Sequence, residues 1–283
     1  MTVTMRSLGL RPTAVSKAPD KEGRSAAGPT SRRPLFLNPA LRGQIDTDGP
    51  ALRLRAEHRA ETRFPLDRVS RIVAGAQISW SAGALRACLE RAVPIVITSA
   101  DGMPLGSMLP ARMSALPLAP ALEELLCCPD WRDIYCRWQR AERMRMLGGW
   151  RRTRQAAGAT LDPAAWQSLV RRYVYRAAAT AHQTSGFWHS ALYALAVETL
   201  RRWGVPPVMW GHGNNTLDLR RDLADLLELR WRLEVRDDMA AALRGETTAL
   251  LVFHALTEKL EAEGRRIMHS LARRTNQVLT EWR

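Results

Sequence analysis

The hydrophobic period of this 283-residue chain changes near residue 120. Before that point short apolar runs alternate with polar residues, as over residues 51–55, and a period of two is typical of half-buried strands. After it, apolar residues recur every three or four positions over long stretches, which indicates amphipathic helices. The pattern predicts an α+β protein with a small β-rich N-terminal domain followed by a larger all-helical domain.

We place the β-rich domain at residues 34–112 and the helical domain at residues 113–283. Prolines between positions 104 and 120 mark the connection. One helix is expected inside the β-rich domain, over residues 80–91, with Ser79 as its N-cap. The helical domain is expected to contain helices over residues 123–126, 131–155, 163–181, 186–203, 217–235 and 247–282.

Residues 1–33 carry seven basic residues and little that could pack, so we expect a disordered basic arm. No apolar run reaches the roughly 18 to 20 residues that a membrane span needs. The four cysteines lack paired CxxC spacing and are too few for a disulfide framework, which is typical of buried thiols in a reducing compartment. We therefore expect a cytoplasmic protein that does not bind membranes.

The charge indicates a polyanionic partner. Lysine and arginine number 42 against 28 acidic residues, a net charge of +14, and only three of the 42 are lysines. The planar guanidinium group of arginine binds phosphate through two hydrogen bonds and stacks on bases. A GC-rich genome would account for the preference for arginine but not for the net charge, so nucleic acid is the predicted partner.

Glu142 is the first residue that could carry chemistry. It shares a helix face with Tyr135 and Trp138, and it is the only acid among seven arginines over residues 137–154. Carboxylates on an apolar stripe are rare unless they are paired or bind a metal ion. From the residues alone, an ion pair with Arg145 or another neighbour is the simpler interpretation.

The second candidate region combines a histidine with a row of aspartates. His212 lies between two glycines, which indicates a loop. Asp218, Asp222 and Asp225 follow at i, i+4 and i+7, so their carboxylates share one helix face and repel each other. Either the neighbouring arginines or a divalent cation could compensate them, and His and Asp ligands on a basic protein suit metal-assisted phosphodiester chemistry.

With these residues assembled, the chain resembles the CRISPR spacer integrase family, the universal Cas-one protein of the adaptation module. The likeness covers roughly residues 34–240. It is carried by the stretch Pro-Leu-Asp-Arg-Val-Ser-Arg-Ile-Val at 65–73 with Ile-Ser at 78–79, by the helix-then-strand pattern over 84–97, and by the Asp-Gly turn at 101–102 with a glycine at 106.

The resemblance implies an active site of one glutamate, one histidine and two aspartates, the latter ten and thirteen positions after the histidine. His212 has Asp222 and Asp225 at those positions, and the glutamate corresponds to Glu142. Glu142, His212 and Asp225 would then bind one Mg²⁺ or Mn²⁺ ion, with Asp222 beside it as ligand or orienting group. Arg143 stands where the family usually has glycine.

The implied function is that of a metal-dependent DNA endonuclease and integrase. Captured foreign DNA would be inserted into the CRISPR repeat array through attack by its 3′-hydroxyl group. The family implies a homodimer that works with the small Cas-two protein. The arginines expected to contact double-stranded DNA are Arg137, Arg140, Arg143, Arg145, Arg151, Arg152, Arg171, Arg172, Arg220 and Arg221. Two alternatives stay open: a catalytically inactive DNA-binding scaffold of the same fold, and a non-enzymatic Arg-rich nucleic-acid-binding protein.

Overall fold

The computed structural model describes residues 32–57, 59–111, 118–175, 186–210, 217–235 and 246–282. Its N-terminal part contains two four-stranded β-sheets and one helix. The strands are β1 (Arg33–Phe36), β2 (Gly43–Asp48), β3 (Ala51–Ala56), β4 (Thr62–Pro65), β5 (Val69–Gly75), β6 (Ile78–Trp80), β7 (Ile95–Thr98) and β8 (Pro104–Met108). The predicted arm lies outside the described residues, apart from Arg32 and Arg33, and Arg33 begins β1.

The two sheets differ in strand direction and in burial. In the first, with order β1-β5-β7-β8, β5 runs parallel to β1 and β7, and all seven residues of β5 are buried. The second has the order β4-β3-β2-β6. A core that includes Ile45, Leu52, Ile72 and Ile95 draws residues from both sheets and from α1 (Ala82–Glu90). Burial on both faces explains why β7 begins with the apolar run Ile95–Ile97 and why β5 buries even Ser70 and Arg71.

Helix α1 begins two residues later than the sequence suggested. Its N-cap is Ser81, whose Oγ accepts a hydrogen bond from the backbone N–H of Ala84 at 3.2 Å. The expected cap, Ser79, instead belongs to β6, where it pairs with Gln44 of β2. The prediction was wrong because both serines precede the same apolar stripe, and only strand pairing distinguishes them.

Helices make up the rest of the described chain. They are α2 (Leu118–Leu126), α3 (Trp131–Ala156), α4 (Pro163–Val170), α5 (Gly186–Arg202), α6 (Leu219–Glu234) and α7 (Glu246–Trp282). Helix α4 continues into a π-helical segment, Arg171–Tyr175. A second hydrophobic core fills the space among these helices and includes Leu122, Trp138, Leu195, Leu227 and Phe253. The predicted α+β class, β-rich first and helical second, is confirmed.

A buried ion pair ties the first sheet to the helices. Arg71 of β5 is fully buried and pairs with Glu198 of α5 and, at 3.2 Å, with Glu261 of α7. Nearby, Val73 and Val96 pack against Ala194 of α5. This contact holds helices α5 and α7, and through them the elements of the candidate site, against a rigid sheet.

Two further expectations can be compared with the described residues. None of the described helices is both long and apolar enough to cross a membrane. All four cysteines are free, but only Cys88 and Cys128 are buried, whereas Cys127 and Cys136 are exposed. The expectation of four buried thiols was therefore wrong for the latter two, because a short cysteine side chain on a helix is exposed whenever its face is turned to solvent.

Candidate active site

Helix α3 presents two chemically different faces. Tyr135, Gln139 and Arg143 recur every four residues and interact with the acidic residues of α6. Glu142 and Arg145 lie about 100° and 160° around the helix from Arg143 and contact α7. Glu142 of α3 therefore contacts α7, whereas the aspartates of α6 interact with Tyr135, Gln139 and Arg143 of α3.

Asp222 is held on the α6 side by two donors from α3. The hydroxyl of Tyr135 donates to its Oδ2 at 2.9 Å, and the side chain of Gln139 hydrogen-bonds it as well. Burial raises the pKa of Asp222 to about 6, although both hydrogen bonds favour the ionised form. The neighbouring Asp225 adds to the rise. Asp222 is therefore fixed in position but poorly compensated in charge.

Asp225 lies one turn further along α6 and has a similar environment. Burial raises its pKa to about 6, Glu228 raises it further, and Arg143 and Arg221 oppose the shift. Among the described residues no cation lies within ion-pair distance of either aspartate. Asp218 differs, since its side chain accepts from the backbone N–H of Arg221 at 3.0 Å and caps α6. Of the three aspartates in the row, Asp222 and Asp225 therefore form a half-buried, poorly compensated pair, and Asp218 has a structural role.

Arg143 is the main cation that interacts electrostatically with this pair of aspartates. It is 9% exposed, and burial lowers its pKa, while Asp225, Asp222 and Glu228 act in the opposite direction. An arginine rarely becomes this buried without acidic neighbours. The position that the resemblance assigns to glycine is therefore occupied by a guanidinium group that shares a buried region with three carboxylates.

Glu142 belongs to the α7 side. It is 5% exposed and accepts hydrogen bonds from Ser270 Oγ at 2.5 Å and from Arg145 Nε at 2.7 Å. Arg145 also pairs with Glu263 of α7, and Trp138 Nε1 donates to Ser270 Oγ at 3.2 Å. The ion pair with Arg145, the simpler interpretation from the sequence, is present.

The described residues fit a divalent metal ion in part. Asp222 and Asp225 offer the hard carboxylate oxygens that Mg²⁺ and Mn²⁺ prefer, and their raised pKa values mean that a cation beside them would be stabilised. Glu142 is engaged by α7, and His212 lies outside the described residues. Within the described ranges no cluster of three His, Cys, Asp or Glu side chains could hold a metal ion. The site assignment therefore stays a prediction.

The ten arginines predicted to contact DNA fall into two groups. Arg143 is buried, and Arg145 is committed to Glu142 and Glu263, so both act as internal counter-charges. The remaining eight are exposed or half-exposed: Arg137, Arg140, Arg151, Arg152, Arg171, Arg172, Arg220 and Arg221. Several of these lie over aromatic rings, as Arg151 does over Trp166 at 4.9 Å. Exposed arginines interleaved with aromatic rings form a surface suited to nucleic acid.

Three residues of the site were not predicted from the sequence. Gln139 and Glu228 line the aspartate pair, and Ser270 binds Glu142. The spacing 135–139–143 was a usable signal, because residues four apart share a helix face. Nothing in the sequence pointed to Ser270, since its partner is 128 positions away.

Comparisons with known proteins agree with this architecture. Residues 41–119 match the family model described as CRISPR associated protein Cas1. The structure of a Cas1 protein from Thermotoga maritima is similar, with 15% identity, a TM-score of 0.59, and coverage of 86% of this chain and 97% of that one. A TtCas1–DNA complex gives 14% identity, a TM-score of 0.51, and coverage of 84% and 91%. At this identity the two structures show the fold alone. No curated protein sequence matches.

Proposed function

We propose that the chain, whose residues 41–119 match the family model of CRISPR associated protein Cas1, is a Cas1-type cytoplasmic DNA integrase of CRISPR adaptation. The carrying observation is the half-buried pair Asp222 and Asp225, ten and thirteen positions after His212 and short of positive charge. Such a pair on a protein of net charge +14 suits chemistry on phosphodiesters. A homodimer and the small Cas-two protein are the partners that the family suggests.

The metal ligands we propose are Glu142, His212 and Asp225, with Asp222 beside the ion as ligand or orienting group. When bound, Mg²⁺ or Mn²⁺ would supply Lewis-acid stabilisation of the charge that develops on the phosphate oxygens. Tyr135 and Gln139 hold the Asp222 carboxylate in a fixed orientation. For Glu142 to join the set, its hydrogen bonds with Ser270 and Arg145 have to be exchanged.

The proposed reaction forms one phosphorus–oxygen bond and breaks another. The 3′-hydroxyl of a captured fragment forms a new phosphorus–oxygen bond as the repeat strand loses one, and the proton released by the attacking hydroxyl is taken up by the leaving 3′-oxygen. No covalent intermediate with the protein is required. The exposed arginines bind both DNA strands, and the main contribution of the chain is to position them.

A strand-transfer assay tests the proposal. A fragment with a 3′-hydroxyl and a plasmid carrying the repeat are incubated with Mn²⁺ or Mg²⁺, with and without the Cas-two partner. We expect joined products from the wild type, and a loss of at least about 100-fold in Asp225→Asn with DNA affinity unchanged. Asp218→Asn is the matched control, because asparagine also caps a helix. Equal loss in both variants, or no wild-type product under any condition, contradicts the proposal.

Arg143 favours a second candidate function, that of a DNA-binding Cas1 without strand transfer. Its guanidinium group lies among the carboxylates that the metal ion would need, so it competes with that ion. In that case the wild type binds DNA but yields no product. Arg143→Gly, which restores the family's usual residue, would then be expected to bind Mn²⁺ more tightly, measured by calorimetry. Strand transfer by the wild type excludes this second function.

A further inference from the structure

The distal end of α3 and helix α4 form a helical hairpin without a core of its own. No residue from 150 to 170 is buried, whereas residues 131–147 of α3 include six that are. The guanidinium group of Arg151 lies over the ring of Trp166 at 4.9 Å and joins the two helices of the hairpin. Residues 150–170, here called the arm, are thus held to each other but bury little against the rest of the protein, and such segments open at low free energy.

The arm begins directly after two adjacent glycines inside α3, Gly148 and Gly149. Glycine inside a helix is unfavourable relative to alanine and usually has a packing reason. A Cβ at Gly149 would meet no neighbouring atom within 4 Å, and one at Gly148 would meet only the end of the Arg152 side chain at 3.6 Å. Gly264 of α7 differs, because a Cβ there would lie 3.3 Å from Thr199. Packing therefore accounts for Gly264 but not for the two glycines of α3.

The hydrogen bonding of α3 also changes at this point. Thr153 Oγ1 donates to the backbone oxygen of Gly149, one turn earlier, at 3.2 Å. A hydroxyl that bonds the carbonyl four residues before it competes with the backbone N–H and often bends a helix. Together the two glycines and this threonine make residues 148–153 a pliable part of α3.

The other end of the arm leads into the π-helical segment Arg171–Tyr175. π-Helical turns are rare and are frequent at functional sites. This segment is anchored on the body of the protein, since Val174 is buried and the guanidinium group of Arg140 lies 6.0 Å from the ring of Tyr175. Both connections of the arm are therefore irregular or weakened helix, and a hairpin with two such connections can pivot as a unit.

The arm carries an excess of positive charge. Arg151, Arg152 and Arg154 face a single acid, Asp162, within residues 150–170. Asp162 caps α4 by accepting from the backbone N–H of Ala165 at 3.0 Å. In the part of the chain that the structure describes, none of the three arginines forms an ion pair. A polyanion therefore attracts the arm.

We propose that residues 150–170 are a hinged arm, which pivots at Gly148–Gly149 and at the π-helical segment and closes on bound DNA. The inference rests on the proposed function for the identity of the polyanion as DNA. Closure would bring three arginines to the phosphates without any change in the buried part of α3. A close approach of DNA to the helix backbone would also call for glycine, and hydrogen exchange distinguishes the two roles.

Hydrogen exchange of the backbone amides of α3, followed by mass spectrometry, tests the hinge. In the free wild type, the amides of residues 149–153 should exchange faster than those of residues 135–142. In Gly148→Ala/Gly149→Ala this exchange should slow by about 20-fold, because alanine is the better helix former and its Cβ has room. The variant should also bind a DNA duplex more weakly, by up to about 20-fold, because fewer molecules reach the closed form.

Thr280→Ala is the matched control. It also raises helix propensity at an exposed position, but in α7 and outside the arm. Slower exchange at residues 149–153 together with weaker DNA binding, in the glycine variant alone, supports the inference. The same weakening of DNA binding in the control overturns it.

Two further results overturn the inference. Weaker DNA binding with unchanged exchange shows that DNA approaches the glycines closely and that α3 does not bend. Slower exchange with unchanged DNA affinity shows that bending does not serve DNA binding. Strand transfer is measured separately, and a wild type that has the hinge but forms no joined product contradicts the proposed function alone.

Discussion

The acidic groups on the two faces of α3 differ in how far their charge is compensated. Toward α7, Glu142 and Glu263 share the guanidinium group of Arg145, and Ser270 adds a hydrogen bond to Glu142. Toward α6, Asp222 and Asp225 are half-buried without an ion-pair partner among the described residues, and their pKa values rise to about 6. The first arrangement is electrostatically complete. In the second, Arg143 and Arg221 compensate the aspartates only in part, so an added cation would be stabilised there.

The strongest test of this difference compares two arginines that are two positions apart. Arg145→Ala leaves Glu142 and Glu263, 5% and 8% exposed, without their main counter-charge. Removing one partner of a buried ion pair costs about 3 to 5 kcal/mol. Arg143→Ala removes the same charge from the other face, where no direct ion pair exists, and should cost less. Urea unfolding of both variants measures the difference, and equal losses would show that the two faces are electrostatically alike.

The pH dependence of stability gives a smaller effect. The folded pKa of Asp225 is about 6, above its ordinary 3.8, so the folded state binds more protons than the unfolded state between those values. The contribution of Asp225 to stability is therefore greatest below about pH 4 and is lost as the pH rises through 6. The shift corresponds to about 2 to 3 kcal/mol.

Asp225→Asn removes the contribution of this carboxyl group to the pH dependence of stability. Urea unfolding at pH 4 and at pH 7 should show a loss of stability that is about 2 to 3 kcal/mol smaller in the variant than in the wild type. Asp218→Asn is the control, because Asp218 caps the helix in a half-exposed position. If both variants follow the wild-type profile, Asp225 is not the poorly compensated group that its burial indicates.

The smallest expected effect comes from Tyr135. Tyr135→Phe deletes the hydroxyl that donates to Asp222 while the buried ring remains. Loss of one hydrogen bond to a charged acceptor should cost about 1 to 2 kcal/mol at pH 7, and less at pH 4, where the Asp222 carboxyl is protonated in the folded state. Thermal unfolding at the two pH values measures this. A cost that is independent of pH would place the contribution of Tyr135 in packing rather than in the hydrogen bond.

Several features of the molecule followed from local sequence alone. The change of hydrophobic period separated strands from helices, and most helix bounds agreed within two residues because apolar periodicity and turn residues act locally. The shared face of Asp222 and Asp225 follows from their spacing, and so does the placing of Asp218 near the helix start, where the structure makes it the N-cap. The fold class needed nothing more than this order of elements.

Only the tertiary structure decided which helix each face of α3 meets. Glu142 and Arg143 are adjacent in sequence, but on a helix they point about 100° apart, so they meet different neighbours. Periodicity defines an apolar stripe and the residues at its edges, yet it carries no information about the partner across it. That partner, Ser270 for Glu142 and the acids of α6 for Arg143, is set by packing between segments distant in sequence, and with it the electrostatics of the candidate site.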